Sequence, residues 1–507
     1  MSAWAALWER ARDPNPIVRK ELLALLRTPV YVRSVVVALV ALAVLVVSVA
    51  LAASEGEADL AEAGRILFQV YFGGAYLLLA MVSPVFGATA IVQEREGRTF
   101  DALVLTGMHP SRVVTGKLLA LFLAMAFIPV AATPVLGVVL LFGGVTLGHL
   151  LVATLYLGLV TLSGVAFGIG LSAQAQVTRR AVLLATPLAV FGALALSSVV
   201  TGLGVEYARR HSLTLEGPLF FVDAYFAVPY GLSYLFDLVV LPATVFGLWL
   251  WLWGAVAYAG LLEPSDDRAR PVKLWALGAW AATTAAARLY AYVYALGAQD
   301  RVVLGHLAQA ASGVLLVLLL SAWVGEPLRR SRRQLLHPPH PLSRALLPPT
   351  LLPTLGFLVA LGALNFLVGP WLLTARGTNL EGLLSAGVWC LAYLSATTAL
   401  QGFLAVRYGS SAARIGGALW LFATLVLCWI VYALAGGGSL SRGEGALWVS
   451  VSPVWAFPAV VDAFHGGRGD TSATRAALRF AMALFGLWTA LFSALTALAW
   501  RRGVRSP

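Results

Sequence analysis

Charge is what this chain has least of. Only 11% of its 507 residues are Asp, Glu, Lys or Arg, against 60% hydrophobic, and the mean hydropathy is +0.85. That balance excludes a soluble domain and specifies an integral membrane protein. Lysine is nearly missing: Lys20, Lys117 and Lys273 are the three present. With so much Ala, Leu, Gly and Val, that scarcity suggests a GC-rich bacterial genome and hence the bacterial inner membrane. Cysteine is scarce too. Cys390 and Cys428 both fall in apolar runs and read as packing residues, not as a disulfide or a metal pair. No G-x-x-x-x-G-K-[ST] sequence occurs. Gly116-Lys117 comes nearest, but Leu118 follows, so this chain does not hydrolyse ATP by that route. His337 and His340 have a spacing metals use, yet prolines surround them and no Cys or carboxylate joins them. No Ser-His-Asp order and no paired carboxylates share a membrane depth. The chain is therefore not read as an enzyme, and no metal or cofactor is expected in it.

What is present is a series of apolar runs. Twelve are long enough to cross a bilayer, at about 34–53, 68–92, 117–141, 149–172, 181–202, 236–262, 274–297, 302–324, 350–373, 383–406, 415–437 and 477–500. The fold class is all-α, a polytopic transmembrane bundle of about 12 spans. Roughly three times as many basic residues flank the spans on the N-terminal side as on the other. That asymmetry puts both termini in the cytoplasm, and it accounts for the net charge of +12 without nucleic acid. Asp237 and Arg479 begin spans and can reach the interface. Arg288 lies deeper, near Tyr290, Tyr292 and Tyr294, and either faces a translocation path or pairs internally.

Before the first span, Asn15-Pro16 starts a helix. Val18, Leu22, Leu25 and Leu26 line one of its faces, with Lys20 and Arg27 opposite. That pattern suits the membrane surface. No cleaved signal peptide is expected, because the charged lead-in is long and the next span very apolar.

The most informative stretch is QEREGRTFDALVLTGMHPSRVVTGK, from Gln93 to Lys117. Its front is ionic, with Glu94, Arg95, Glu96, Arg98 and Asp101, and Glu94 stands four residues before Arg98, a favourable helical ion-pair spacing. Phe100, Leu103, Val104 and Met108 recur at helical spacing. Gly107 and Pro110 end that helix and open the next. The expectation is a short amphipathic helix held between two spans; the plain alternative is an ordinary solvated loop.

Glu94-Arg95-Glu96, Thr99, Asp101, Leu103, Leu105-Thr106 and Gly116-Lys117 resemble the first cytoplasmic loop of ABC-2-type transporter permeases. Gly97 comes one position earlier than in the family pattern, and Gly107-Met108 replaces the proline after Thr106. The helix at 16–27 resembles the family's elbow helix, and Ser452-Pro453 its external Ser-Pro. The resemblance implies a coupling helix resting on a partner ATPase, with Glu94, Arg95, Glu96, Arg98, Thr99, Phe100, Asp101, Leu103 and Met108 as coupling residues. It also implies that ATP and magnesium belong to that partner.

Two outside segments, 203–235 and 438–476, are aromatic, interrupted by proline and too short to span, so they read as re-entrant or interfacial. They share Val222-Asp223-Ala224-Tyr225 and Val461-Asp462-Ala463-Phe464. This echo suggests two six-span halves, about 1–265 and 266–507. The loop 325–348, with Glu326, Arg329, Arg330, Arg332 and Arg333, is then the counterpart of 93–117.

The reading is a permease subunit of an ABC-2-type exporter, powered by a separate ATPase. Self-association is an alternative to a single two-half chain. A secondary transporter with internal repeats is the rival class, and the spans' lack of carboxylates speaks against it. A non-transport membrane protein is the third. A co-purifying ATPase separates the first class from the other two.

Overall fold

In the computed structural model, residues 15–55, 60–100, 105, 107–131, 137, 140–175, 187, 192, 202, 207–209, 226, 231–263, 266–329, 335, 347, 350–373, 380–424, 452 and 471–505 are described. The chain divides into two compact units, Met1–Glu263 and Pro264–Pro507.

In the first unit, α1 (Pro16–Arg27) is followed by α2 (Pro29–Glu55), α3 (Leu60–Thr89), the short α4 (Val92–Glu96), α5 (Pro110–Ala131), α6 (Leu147–Gln174) and α7 (Leu241–Leu261). A π turn, Phe236–Val240, leads into α7. The start of α1 is the expected one: the Asn15 carboxamide oxygen accepts from the Ile17 N–H at 3.1 Å, and Pro16 opens the helix. α3 and α6 pack most closely. Gly164 and Gly168 on α6 stand four residues apart, and a Cβ at either would collide with Ser83, Pro84 or Ala88 of α3. Small residues at this spacing let two spans bring their backbones together where lipid provides no hydrophobic drive between helices. Leu67, Phe68, Phe72, Leu157 and Val160 fill the space beside this contact.

In the second unit, α8 (Arg270–Val293) and α9 (Ala298–Trp323) form a hairpin. α10 (Leu351–Ala363) passes through a π turn, Leu364–Val368, into α11 (Gly369–Leu373). α12 (Leu380–Tyr408), α13 (Ser410–Phe422) and α14 (Thr471–Arg505) complete it. An aromatic cluster joins α12 to α14: Trp389 stacks on Tyr393 at 5.6 Å, and Phe485 meets both edge-on at 5.7 and 5.4 Å. Cys390 packs beside this cluster.

The protein is thus an all-α, polytopic membrane bundle. Nine helices among the described residues are long and apolar enough to cross a membrane. Twelve spans were expected. Most of the fifth, 181–202, and most of the eleventh, 415–437, lie outside the described residues, as do both Val-Asp-Ala echoes and His337 and His340. The seventh forms α8, but it is not among the nine. Its Thr283, Thr284 and Arg288, set among alanines, give it an amphipathic character in place of a continuously apolar one.

Candidate functional site at the charged loop

The loop after α3 is built from the inside out. Two consecutive backbone N–H groups, those of Ile91 and Val92, both donate to the Ser172 hydroxyl of α6 at 2.9 Å. All three residues are fully buried. The turn that starts α4 is therefore fastened to the end of α6.

Arg95 turns inward as well. Its guanidinium donates to the carbonyls of Ala173 at 2.9 Å, Ala175 at 3.1 Å and Gly260 at 3.0 Å. Carbonyls in the last turn of a helix have no partner within it, and they carry the negative end of the helix dipole. One arginine thus caps the ends of both α6 and α7. Its other side rests on the Phe100 ring, 5.1 Å from the centroid. Phe100 is half-buried and packs against the cluster of Ile91, Val114, Leu121, Val165 and Ile169.

Glu94 does not pair with Arg98. The helix ends at Glu96, and Thr99 N–H reaches back to the Glu94 carbonyl at 2.9 Å while Arg98 N–H reaches Arg95 at 3.2 Å. This pair of bonds is a Schellman ending, whose penultimate residue must be left-handed. Arg98 has φ 55°, so it occupies the position that suits glycine, and Gly97 sits one place too early to relieve it. The turn cuts the expected amphipathic helix between Glu96 and Phe100 and removes the spacing on which the Glu94–Arg98 pair depended.

Glu94 instead meets Lys117, whose ammonium lies 2.9 Å from Glu94 Oε1 and 3.1 Å from Glu21 Oε1. Lys117 is 3% exposed. The triad joins α1, α4 and α5. Beside it, a Cβ on Gly116 would lie 2.7 Å from Asn15 Nδ2 and 2.9 Å from Ile17 Cβ, and Asn15 Nδ2 donates to the Arg112 carbonyl at 2.6 Å. Gly116 is thus the seat on which the start of α1 rests. The sequence singled out Gly116-Lys117 as a family signature and as a failed phosphate loop; the partner of Lys117 on α1, Glu21, carried no signal of its own. A lysine heading an apolar run, in a chain with three, was the available signal.

Glu96, Arg98, Thr99 and Leu105 are exposed, Leu105 at 87%. Met108 is half-buried, and Gly107 takes φ 68°, as the expected break requires. Asp101 and Leu103 lie outside the described residues. Arg288 is remote from this group in the chain, exposed on α8, and donates to the Leu372 carbonyl.

Residues 35–209 match the family described as "ABC-2 family transporter protein". Over that stretch, about a third of the chain, the sequence is similar to ABC-2 family transporter proteins. The charged loop lies inside the match, and so do α3, α5 and α6, which hold it. Neither the curated proteins nor the solved structures give a match. The sequence has no G-x-x-x-x-G-K-[ST] phosphate-binding loop, and no group of three His, Cys, Asp or Glu side chains able to hold a metal occurs among the described residues.

In the second unit another buried lysine holds a glutamate. Lys273 is fully buried, 3.0 Å from Glu326 Oε1 and 2.7 Å from Thr354 Oγ1. Burial raises the Glu326 carboxyl above its usual range, although Lys273 and Thr354 draw it back.

Proposed function

We propose that the chain is the membrane-spanning subunit of an ABC-type exporter in the bacterial inner membrane, driven by a separate ATPase that docks on the loop after α3. The observation that carries this reading is the way the loop is fastened. Ser172, Arg95 and Lys117 tie it to the ends of α5, α6 and α7 and to α1, so a push on the loop moves those helices together. Glu96, Arg98, Thr99 and Leu105 are the exposed side that a partner can grip. Arg98 supports this assignment. A non-glycine residue in left-handed backbone is strained, and such strain persists where the side chain serves a purpose.

On this reading Glu94, Arg95 and Phe100 hold the loop in shape while Glu96, Arg98 and Thr99 meet the ATPase; Asp101, Leu103 and Met108 complete the coupling segment. α1 is the elbow helix, and both termini are cytoplasmic. The partner supplies ATP and magnesium chemistry, and Arg288 borders the path. The 1–265 and 266–507 halves form one pathway in a single chain. The division of the chain at Glu263 and a buried Lys–Glu pair in each unit support that scheme. The test is purification of the tagged chain in mild detergent. A bound protein with a phosphate loop, lost in Arg98→Glu and Glu96→Arg and kept in Leu141→Ala, supports the reading. A stably folded chain with no ATPase bound contradicts it.

A further inference from the structure

The outer face of α1 is basic. Arg19, Lys20, Leu23, Ala24 and Arg27 are exposed, and at about 100° per residue they fall within an arc of roughly 140°. Arg19 and Arg27 make no ion pair or hydrogen bond among the described residues. Lys20 lies 3.9 Å from Glu21 Oε1, an oxygen that Lys117 already holds at 3.1 Å. Glu21 is the one carboxylate of α1, and it is turned inward to α5.

The apolar stripe of the same helix is taken up by the protein. Ile17 is buried beside Gly116, and Leu22, Leu25 and Leu26 pack on Tyr31 and Val35 of α2 and on Ala124 and Met125 of α5. The stripe expected at the membrane surface is thus covered by neighbouring helices, and what α1 presents outward is its charged side.

Two observations set this side against a bilayer. The Glu21–Lys117–Glu94 triad lies where the apolar spans α3 and α5 meet the charged loop, so α1 runs along the boundary of the hydrocarbon. One residue, Thr28, separates α1 from α2, a span whose Val36, Val40, Val44 and Val47 stand exposed along one face. Arg33, exposed and without an ion pair among the described residues, follows Arg27 onto that span. Acyl chains lying on the valines bring their headgroups to these basic side chains.

We infer that the outer face of α1 is a docking surface for anionic phospholipid of the cytoplasmic leaflet. Arg19, Lys20, Arg27 and Arg33 take the headgroup phosphates, Leu23 enters the acyl boundary, and the α2 valines carry the chains. A zwitterionic headgroup brings its own cation to the same arginines and is disfavoured. An acidic protein surface fits less well, because Leu23 stands in the middle of the charged arc and the valine face continues from it. The cytoplasmic side rests on the topology proposed above, and nothing here depends on the ATPase. In a nanodisc both leaflets carry the same lipids, so a failed test there speaks against the surface and not against the topology.

The test uses the full chain in phosphatidylcholine nanodiscs with 20% phosphatidylglycerol. Trace phosphatidylglycerol or phosphatidylcholine, each with the same acyl-chain diazirine, is photolysed, and adducts on 15–47 are counted by mass spectrometry. The phosphatidylglycerol probe labels this segment at least tenfold more, and the difference shrinks in 0.5 M NaCl, which screens exposed charges. Arg19→Gln and Arg27→Gln each lower the preference by about fivefold, the equivalent of about 1 kcal/mol per basic residue near a negative leaflet. Arg19→Gln/Lys20→Gln/Arg27→Gln brings the two probes within about twofold, and Arg501→Gln, at the end of α14, changes nothing. In intact cells, benzoylphenylalanine at Leu23 captures lipid. Equal labelling by both probes in the wild type, a preference kept in the folded triple variant (or in both single variants if the triple does not fold), or capture of a protein from Leu23 overturns the surface.

Discussion

Replacing Lys117 by methionine tests whether the loop is held as described. Met keeps the apolar stem and removes the charge, so Glu94 and Glu21 are left facing each other across the vacated position. Removing one partner of a buried pair typically costs about 3–5 kcal/mol, because the remaining charge is stranded. Here Lys117 is buried, but the two carboxylate side chains are 16% and 25% exposed and can recover some hydration. The cost therefore falls to the bottom of that range or just below it, about 2–3 kcal/mol. For a unit of this size that corresponds to a fall in Tm of roughly 4–12 °C, read by size-exclusion chromatography after heating in detergent. The triple variant Lys117→Met/Glu94→Gln/Glu21→Gln, with no stranded charge, regains at least half of the loss. A cysteine at Asn15 becomes more reactive in Lys117→Met, because α1 loses one of its ties to α5. If Lys117→Met melts with the wild type, or if the triple variant is less stable than the single one, the triad does not hold these helices.

Three further outcomes follow from single residues. Arg98→Gly relieves the left-handed strain and raises stability by about 0.5–1 kcal/mol, measured by thermal unfolding, while lowering ATP hydrolysis stimulated by the chain if the arginine meets the partner. Gly116→Val places a side chain on Asn15 and Ile17 and costs about 1–3 kcal/mol; protease cleavage between α1 and α2 increases, and no change would mean α1 does not sit there. Glu326 has a raised carboxyl, so its contribution to stability is fully present below its ordinary value of 4.5 and is lost as pH rises through the shifted value. Tm of the wild type therefore falls as pH rises from about 4.5 towards neutrality. Glu326→Gln flattens that slope, while Asp267, also raised by burial, keeps the remainder. A slope unchanged in Glu326→Gln contradicts this assignment.

Much of the architecture was legible because hydropathy alone marks a helical span: a run of about 20 apolar residues can satisfy its own backbone in lipid only as a helix, since a barrel strand is half as long and alternates. α8 shows where that signal weakens. Its alanines, Thr283, Thr284 and Arg288 dilute the hydropathy of a helix that a single-sequence reading still finds by length. The charged loop was legible in place but not in direction. Spacing offered Glu94 a partner four residues on, and the partner it takes is 23 residues away, because a Schellman turn moves Arg98 off the helix face. The early Gly97 was the visible trace of that turn. Arg95 and its three carbonyls belong to helix ends far apart in sequence, and no local pattern reports them.

The most direct measurement of the central claim is site-specific photo-crosslinking in intact cells. A benzoylphenylalanine placed at Glu96, Arg98 or Leu105 is predicted to capture a protein that carries a phosphate loop. The same residue at Leu141, exposed beyond the opposite end of α5, is predicted to capture none. Equal capture from Leu141, or no ATPase adduct from any of the three loop positions in a correctly inserted protein, would contradict the account.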